Sequence, residues 1–172
     1  MSINLNRLHK KRTIVYSLRE HYFFNQIKEK SLDIVFTHSP SPQDIDQIYQ
    51  GLGDFNRRFI PEITDESFAI FVRDKSGEIL GGLTGFIYMT SVQIRFLWLT
   101  EEERSQGYGA ALIRKIEMYC KEREIRNIAV DTYTFQAPDF YESHGFKEVG
   151  RYKDYLKEGV DKIFYQKTLI DD

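Results

Sequence analysis

Two glycines one residue apart, Gly107 and Gly109, lie at the start of a stretch whose apolar positions repeat with helical spacing. Glycine is a poor helix former, so a bare backbone at this point needs a physical reason. The first N–H groups of a helix have no partner inside it, and the helix dipole favours negative charge there. Because glycine has no Cβ, a bulky anion could approach these amides closely. The spacing therefore predicts a phosphate-binding loop.

The loop departs from two common nucleotide-binding motifs. The segment GYGAAL, residues 107–112, begins like the dinucleotide fingerprint G-x-G-x-x-G but has Leu112 where the third glycine belongs. It also lacks the P-loop pattern G-x-x-x-x-G-K-[ST], which disfavours ATP. A tight strand-to-helix turn without any ligand would explain the local pattern about equally well.

The elements that must position this loop form an α/β pattern. Strands are predicted in residues 32–38, 91–99 and 127–135, and a hairpin is predicted in residues 67–89 around an Asp-Lys-Ser-Gly turn. Two final strands are predicted in residues 146–156 and 161–169, joined near Glu158-Gly159. Helices are predicted in residues 39–56, from Gly107 to Lys121, and in residues 137–145. This order indicates an α/β sandwich with a mixed sheet.

The composition limits the class of protein. The 172 residues are enough for one domain with a real hydrophobic core, and the net charge of −2 argues against a protein that mainly binds nucleic acid. No apolar run approaches the ~18 residues of a membrane span, and no apolar signal region follows the basic N-terminus. We therefore expect a soluble, cytoplasmic protein that does not bind membranes.

Metal and disulfide chemistry are not expected. The chain has one cysteine, Cys120, which excludes an internal disulfide and suits a reducing compartment. Its four histidines contain no pair at helical or zinc-finger spacing. The sequence therefore predicts no metal site.

Two linked motifs resemble one enzyme family. The spacing Arg104-x-x-Gly107-x-Gly109 resembles the [Q/R]-x-x-G-x-[G/A] acyl-CoA pyrophosphate loop of the GNAT superfamily of N-acetyltransferases. Residues 135–151, FQAPDFYESHGFKEVGR, are similar to the later part of that fold, where a helix carrying A-x-x-x-Y precedes G-F and a strand. The matching residues are Ala137, Tyr141, Gly145 and Phe146. The two motifs occur in the expected order and separation, and the resemblance covers roughly residues 34–169.

The resemblance implies a GNAT-type fold: a mixed, mostly antiparallel sheet that is splayed at its centre, with helices on both faces. It implies a GNAT domain over residues 32–172, after an N-terminal extension over residues 1–31 that reads as helical. Acetyl-CoA would be the acyl-donor cosubstrate, without a metal. The final strands of such folds often pair between subunits, so a homodimer is also expected.

The same resemblance implies a set of cofactor contacts. Main-chain groups of the splayed strand would bind the pantetheine amides, and loop amides with one arginine would bind the pyrophosphate. Many relatives carry Asn seven residues before the tyrosine, whereas this chain has Thr134 there. The implied cofactor-binding residues are Leu97, Leu99, Arg104, Gln106, Gly107, Gly109, Ala110 and Thr134.

The chemistry would be acyl transfer from a thioester to an amine. The resemblance assigns Tyr141 as the general acid for the departing thiolate, although a core tyrosine on a short helix is the alternative interpretation. An alkyl ammonium has a pKa of about 10.4, so some base must take a proton before the amine attacks. Asp131 is the candidate base, or equally a structural hydrogen-bonding residue, and Asn56 is a candidate substrate contact. Cys120 lies on the apolar side of its helix, so we expect direct attack without a covalent enzyme intermediate.

The principal interpretation is an acyltransferase that moves an acetyl group to a primary amine on a small molecule or peptide. A catalytically weak acyl-CoA sensor would keep the same loop, although Tyr141 argues against it. A ribosome-directed enzyme would need RNA contacts, and the basic cluster RLHKKR, residues 7–12, is its only support. Members of the family acetylate many kinds of amine from nearly the same scaffold, so the sequence does not identify the acceptor.

Overall fold

A computed structural model describes residues 32–62 and 64–169 of the chain. Six strands form one sheet in the order β1-β2-β3-β4-β6-β5, in which only the central β3–β4 pair is parallel. The strands are β1 (Asp65–Arg73), β2 (Ile79–Tyr88), β3 (Ser91–Leu99), β4 (Asn127–Tyr133), β5 (Lys147–Lys157) and β6 (Val160–Thr168). The helices are α1 (Pro42–Arg57), α2 (Tyr108–Glu122) and α3 (Pro138–Ser143), with a short 3-10 helix at Glu101–Glu103. The predicted mixed, mostly antiparallel α/β fold is confirmed.

The chain divides between Gln50 and Gly51 into two compact units. In the first unit, the strand predicted over residues 32–38 is wrong, because this segment has no strand and Val35 and Phe36 are 80% and 82% exposed. A run of β-forming residues becomes a strand only when it packs against neighbouring strands. The helix predicted over residues 39–56 is present as α1 but begins at Pro42, where the Asp44 N–H donates to the hydroxyl of Ser41 (3.1 Å). The helix predicted in the extension over residues 1–31 lies outside the described residues.

The hydrophobic core of the second unit lies between one face of the sheet and helices α2 and α3. Alternate residues of β4 are buried toward this face, as the period of a strand requires. The apolar stripe predicted for α2 is confirmed at Leu112, Ile116 and Cys120, whereas Tyr108, the first helical residue, is exposed. The most deeply buried side chains among the described residues are Leu83, Val92, Ile94, Ile113, Ile116, Cys120, Ile128, Ile163 and Tyr165.

A β-bulge interrupts the pairing of β2 with β3. Thr84 pairs with Phe96, whereas the next residue, Gly85, pairs with Ile94. Arg95 is therefore an extra residue in β3 that has no partner in β2. A bulge of this kind bends its strand and increases the local twist. The bend lies in the middle of the sheet, on β3, which is one strand of the central parallel pair.

The bulge also changes which residues of β3 face the core. Before the bulge, Ile94 is buried at an even-numbered position. After it, the odd-numbered Leu97 and Leu99 face the core, and Phe96 and Trp98 are exposed on the opposite face. A shift of one residue exchanges the two faces of a strand, because side chains alternate with a period of two. The second half of β3 therefore presents aromatic side chains where an unbulged strand would have buried them.

The bulge depends on a glycine in β2. A Cβ at Gly85 would overlap the carbonyl oxygen of Gln93 and press against the ring of Phe68. We expect Gly85→Ala to lower the free energy of unfolding by about 1–3 kcal/mol, because the two strands must move apart to admit the methyl group. Urea denaturation measures this change. Gly150→Ala in β5 is the matched control, because its Cβ would lie an ordinary 3.9 Å from Phe164; equal stability of both variants would contradict the prediction.

Candidate active site

The central strands part immediately after the bulge. The parallel pairing of β3 with β4 runs from Ser91↔Asn127 to Ile94↔Val130 and stops there. Beyond this point Leu97 and Leu99 on one side, and Asp131 on the other, border a cleft of about 980 Å³. Unpaired strand edges in such a cleft offer main-chain donors and acceptors to an extended ligand. The predicted central splay is therefore present.

The loop between β3 and α2 forms one end of the cleft. Gly107 is the N-cap of α2 with φ 86° and ψ −2°, a left-handed conformation that glycine adopts without strain. Ser105, two residues earlier, also has a positive φ of 60°. The first intrahelical bond runs from the N–H of Ala111 to the carbonyl of Gly107 (3.0 Å), and no side chain in the described residues caps the helix. The amides ahead of Ala111 are therefore free of helical partners.

The two glycines have different structural roles. A Cβ at Gly107 would meet nothing within 4 Å, so there is open space beside the free amides. A Cβ at Gly109, by contrast, would lie 3.1 Å from the ring of Phe140, so this glycine allows α3 to pack closely on the start of α2. Arg104 adds positive charge and is held by a hydrogen bond from its Nε to the carbonyl of Leu99 (3.3 Å). Free amides, open space and a fixed cation fit a phosphate group.

Tyr141 lies on α3 and lines the same cleft. It is 6% exposed and stacks near Tyr165 at a centroid distance of 6.1 Å. Burial of the phenol, together with the Asp131 carboxylate, raises the pKa of Tyr141 to about 12. The hydroxyl is therefore protonated throughout the neutral range, so it can donate a proton or a hydrogen bond but cannot act as a phenolate base.

Contacts at its C-terminal end hold the six-residue helix α3 in place. The Tyr165 hydroxyl donates to Oε1 of Glu142 (2.6 Å), and burial with this hydrogen bond raises the pKa of Tyr165 to about 12. Nζ of Lys167 donates to both the carbonyl of His144 and Oε1 of Glu117, each at 2.6 Å. So short a helix has little stability of its own, and these bonds tie it to β6 and α2. The position of Tyr141 follows from this attachment.

Asp131 reaches the cleft from β4 on the face opposite Tyr141. Its carboxylate forms an ion pair with Nζ of Lys162 on β6 (2.9 Å). That hydrogen bond raises the pKa of Lys162, so the lysine is positively charged at neutral pH. Lys162 also lies 5.5 Å from the ring centroid of Tyr155 and 5.4 Å from that of Phe164. Asp131 is thus both a residue of the cleft wall and a partner in a structural ion pair.

Three predicted site residues are not among those that line the cleft. Gln106 lies in the loop just before the helix. The hydroxyl of Thr134 accepts a hydrogen bond from the N–H of Asp161 (3.3 Å), so it is engaged with β6. Asn56 is in the last turn of α1, where its carbonyl accepts from the N–H groups of Phe59 and Ile60, each at 2.9 Å. Their predicted ligand contacts stay predictions without support from this geometry.

Several residues that line the cleft were not predicted from the sequence. The bulge brings Arg95, Phe96 and Trp98 to the wall, and the imperfect alternation of SVQIRFLWL was the one available signal for it. Phe135 and His144 also line the cleft, on either side of Tyr141 in sequence. Their roles depend on tertiary packing that local patterns do not reveal. No group of three metal-binding side chains occurs within residues 32–62 and 64–169.

Comparison with known proteins identifies the family to which the chain belongs. Residues 19–146 match the Acetyltransferase (GNAT) family. The chain belongs to the GNAT acetyltransferase family. The match begins inside the predicted extension over residues 1–31, so the boundary expected at residue 32 stays a prediction.

Individual relatives of this GNAT acetyltransferase are also acetyltransferases. It is 33% identical over 92 residues to a blasticidin-S acetyltransferase from Streptomyces morookaense, covering 52% of this chain and 67% of that protein. An acetyltransferase structure from Bacillus cereus ATCC 14579 is 32% identical with a TM-score of 0.69, covering 78% of this chain and 98% of that one. The family and these relatives establish the protein as an N-acetyltransferase.

A more distantly related solved structure of similar fold is a complex with coenzyme A. An aminoglycoside 6′-N-acetyltransferase complexed with coenzyme A has a TM-score of 0.56 and 18% identity, over 62% of this chain and 75% of that one. At this identity the likeness concerns the fold alone. No helix in the described part of this GNAT acetyltransferase is long and apolar enough to cross a membrane.

The raised pKa of Tyr141 is testable directly. Its folded pKa of about 12 exceeds the ordinary value of 10.0, so its contribution to stability is complete below about pH 10 and is lost as the pH rises through about 12. We expect the ultraviolet difference titration between the native protein and Tyr141→Phe to show phenolate formation near pH 12. Tyr88→Phe, which removes an exposed tyrosine, should leave this late step in place. A difference titration centred near pH 10 would contradict the assignment.

Proposed function

We propose that this N-acetyltransferase transfers an acetyl group from acetyl-CoA to a primary amine by direct attack within a ternary complex. The observation that carries the proposal is the single cleft that joins an uncapped helix start, two unpaired strand edges and a buried tyrosine. Acetyl-CoA supplies the reactive thioester. Side chains and main-chain groups of this cleft would bind the substrates and transfer the protons.

The cofactor would lie along the core side of the cleft. The free amides of Gly107, Gly109 and Ala110, with the charge of Arg104, suit its pyrophosphate. The unpaired main-chain groups of Leu97 and Leu99 suit the pantetheine amides in the manner of an added strand. Gln106 and Thr134 complete the set expected from the family resemblance, as weaker candidates.

Tyr141 is the proposed general acid. The amine forms a bond to the acetyl carbon, the C–S bond breaks, and the departing thiolate must receive a proton. A thiol has a pKa near ~8.5, far below that of Tyr141, so the tyrosine stabilises the thiolate first by hydrogen bonding. The proton lost by the attacking nitrogen balances the one that the thiol gains.

Asp131 is the proposed base, acting directly or through water. It borders the cleft from the face opposite Tyr141, so an amine between them could lose a proton on one side while the sulfur gains one on the other. The ion pair with Lys162 holds the carboxylate in place. Asn56, at the end of α1, is proposed only as an acceptor contact.

The acceptor is proposed to be a small molecule. The support is the similarity to a blasticidin-S acetyltransferase, whose named substrate is not a protein. A peptide acceptor, the cytoplasmic location and the homodimer expected from the sequence stay predictions.

Binding of acetyl-CoA is the first test of this function. A ligand at ~100 times its dissociation constant stabilises the folded state by about 2.7 kcal/mol. For this chain we expect the melting temperature to rise by roughly 5–10 °C with acetyl-CoA, and not with ATP or NAD. Gly107→Asn, which tolerates a positive φ but adds a side chain beside the amides, should reduce the shift. No shift at millimolar acetyl-CoA would refute the proposal.

The acid role of Tyr141 is tested by Tyr141→Phe. We expect kcat to fall by about 10²-fold, because a general acid contributes at least that factor, while the thermal shift with acetyl-CoA stays nearly unchanged. Tyr152→Phe is the control and should leave kcat unchanged, since Tyr152 is 56% exposed and does not line the cleft. Unchanged turnover in Tyr141→Phe would remove the tyrosine from the mechanism and leave cofactor binding intact.

A further inference from the structure

The acceptor side of the cleft is unusually aromatic. Phe96, Trp98 and Phe135 all line it, and they are 67%, 54% and 65% exposed. Large aromatic side chains seldom remain this accessible around one opening unless something binds there. The first two belong to β3 and the third follows β4, so the rings stand on both sides of the splay.

These rings are on the face opposite the hydrophobic core. The bulge at Arg95 turns Phe96 and Trp98 away from the core residues of β3. Phe135 stacks on Tyr133, with ring centroids 5.6 Å apart and planes inclined by 5°. Tyr133 alternates along β4 with the buried Thr132, so this stack also belongs to the outer face. The stack gives Phe135 a fixed, flat surface at the edge of the cleft.

The charges of the cleft favour an acceptor with few positive charges. Among the described residues, Asp131 is the only acidic one that lines the cleft, and its carboxylate is already paired with Lys162. The arginines Arg95 and Arg104 also line the cleft. The guanidinium of Arg95 lies 5.5 Å from the ring centroid of Phe96, so its charge stays at the acceptor wall. A polycation would meet net positive charge there without a free carboxylate to bind it.

We propose that the acceptor of this enzyme is an amine carried on a flat aromatic or heterocyclic ring, and that polycationic amines are excluded. The ring stacks against Trp98 and Phe135, and the amine points into the splay toward Asp131 and the acetyl group. Stacking on exposed rings selects the acceptor by shape, and Arg95 selects it by charge. This inference rests on the proposed acetyl transfer, which it makes more specific.

Trp98 is the one tryptophan in the chain, so its fluorescence reports directly on this subsite. The protein is saturated with coenzyme A, which prevents turnover, and is titrated with 4-nitrophenethylamine, hexylamine or spermidine. We expect saturable quenching with the nitroaromatic amine, because its ring would stack on the indole. Hexylamine and spermidine should not compete with it at equal concentration. Absence of saturable quenching, or equal competition by hexylamine, would overturn the ring preference.

Substitutions on the wall separate stacking from general damage. Phe135→Leu should raise the half-saturating concentration of the nitroaromatic amine by about 5- to 10-fold, because it removes one stacking surface. Tyr152→Leu is the matched control, since Tyr152 is 56% exposed but does not line the cleft. It should change binding by less than about twofold. Equal effects of the two substitutions would contradict the proposed subsite.

Two substitutions test whether Arg95 selects the acceptor by its charge. Arg95→Gln should increase acetylation of spermidine relative to tyramine by about 5- to 10-fold, because it removes one positive charge from the wall. Arg73→Gln removes an arginine that also lies over an aromatic ring, that of Phe71 (4.8 Å), but outside the cleft lining. It should leave the ratio unchanged. A native enzyme that acetylates spermidine as well as tyramine would overturn the exclusion of polycations.

These results distinguish the two proposals from each other. If acetyl-CoA produces no thermal shift, the proposed acetyl transfer fails. If acetyl-CoA binds and hexylamine is acetylated as efficiently as tyramine, the enzyme assignment stands and the aromatic subsite fails.

Discussion

The candidate active site depends on one extra residue in a strand. Arg95 has no partner in β2, and pairing between β3 and β4 ends beside it. A regular sheet would satisfy the main-chain groups of its strands and would contain no opening at its centre. The bulge therefore produces three features together: unpaired strand edges, a cleft, and an exchange of the core-facing and outward-facing side chains of β3. Gly85 is the residue in β2 that lets the strands remain close at this point.

The two walls of the cleft are fixed by different means. The β3 wall is fixed by the sheet itself, through the bulge and its glycine partner. The wall that carries Tyr141 is a helix of six residues, held by polar contacts from Tyr165 and Lys167 on β6. Bonds to β6, which is paired on both sides within the sheet, transfer the rigidity of the sheet to a helix too short to be stable alone. A buried phenol with a raised pKa depends on this rigidity, because solvent access would restore its ordinary pKa.

Much of the fold followed from local patterns. The Asp-Lys-Ser-Gly turn, the run NIAVDTYTF and the apolar repeat after Gly107 correctly predicted a hairpin, a strand and a helix. The strand predicted over residues 32–38 failed because β-forming residues do not by themselves supply a neighbouring strand. The role of Gly109 could be predicted only in part, since its close neighbour Phe140 lies some thirty residues later in a separate helix. The ion pair between Asp131 and Lys162 requires the register of β4 with β6, which no local pattern contains.

The alternation of side chains along the second half of β3 has a consequence for how this enzyme could diversify. Leu97 and Leu99 face the core and the proposed cofactor side. Phe96 and Trp98, which alternate with them along the strand, face outward. Substitutions at the outward positions could change what is acetylated without disturbing the packing that supports the donor site. Selection, natural or in the laboratory, could therefore alter acceptor range and donor use almost independently within one short strand.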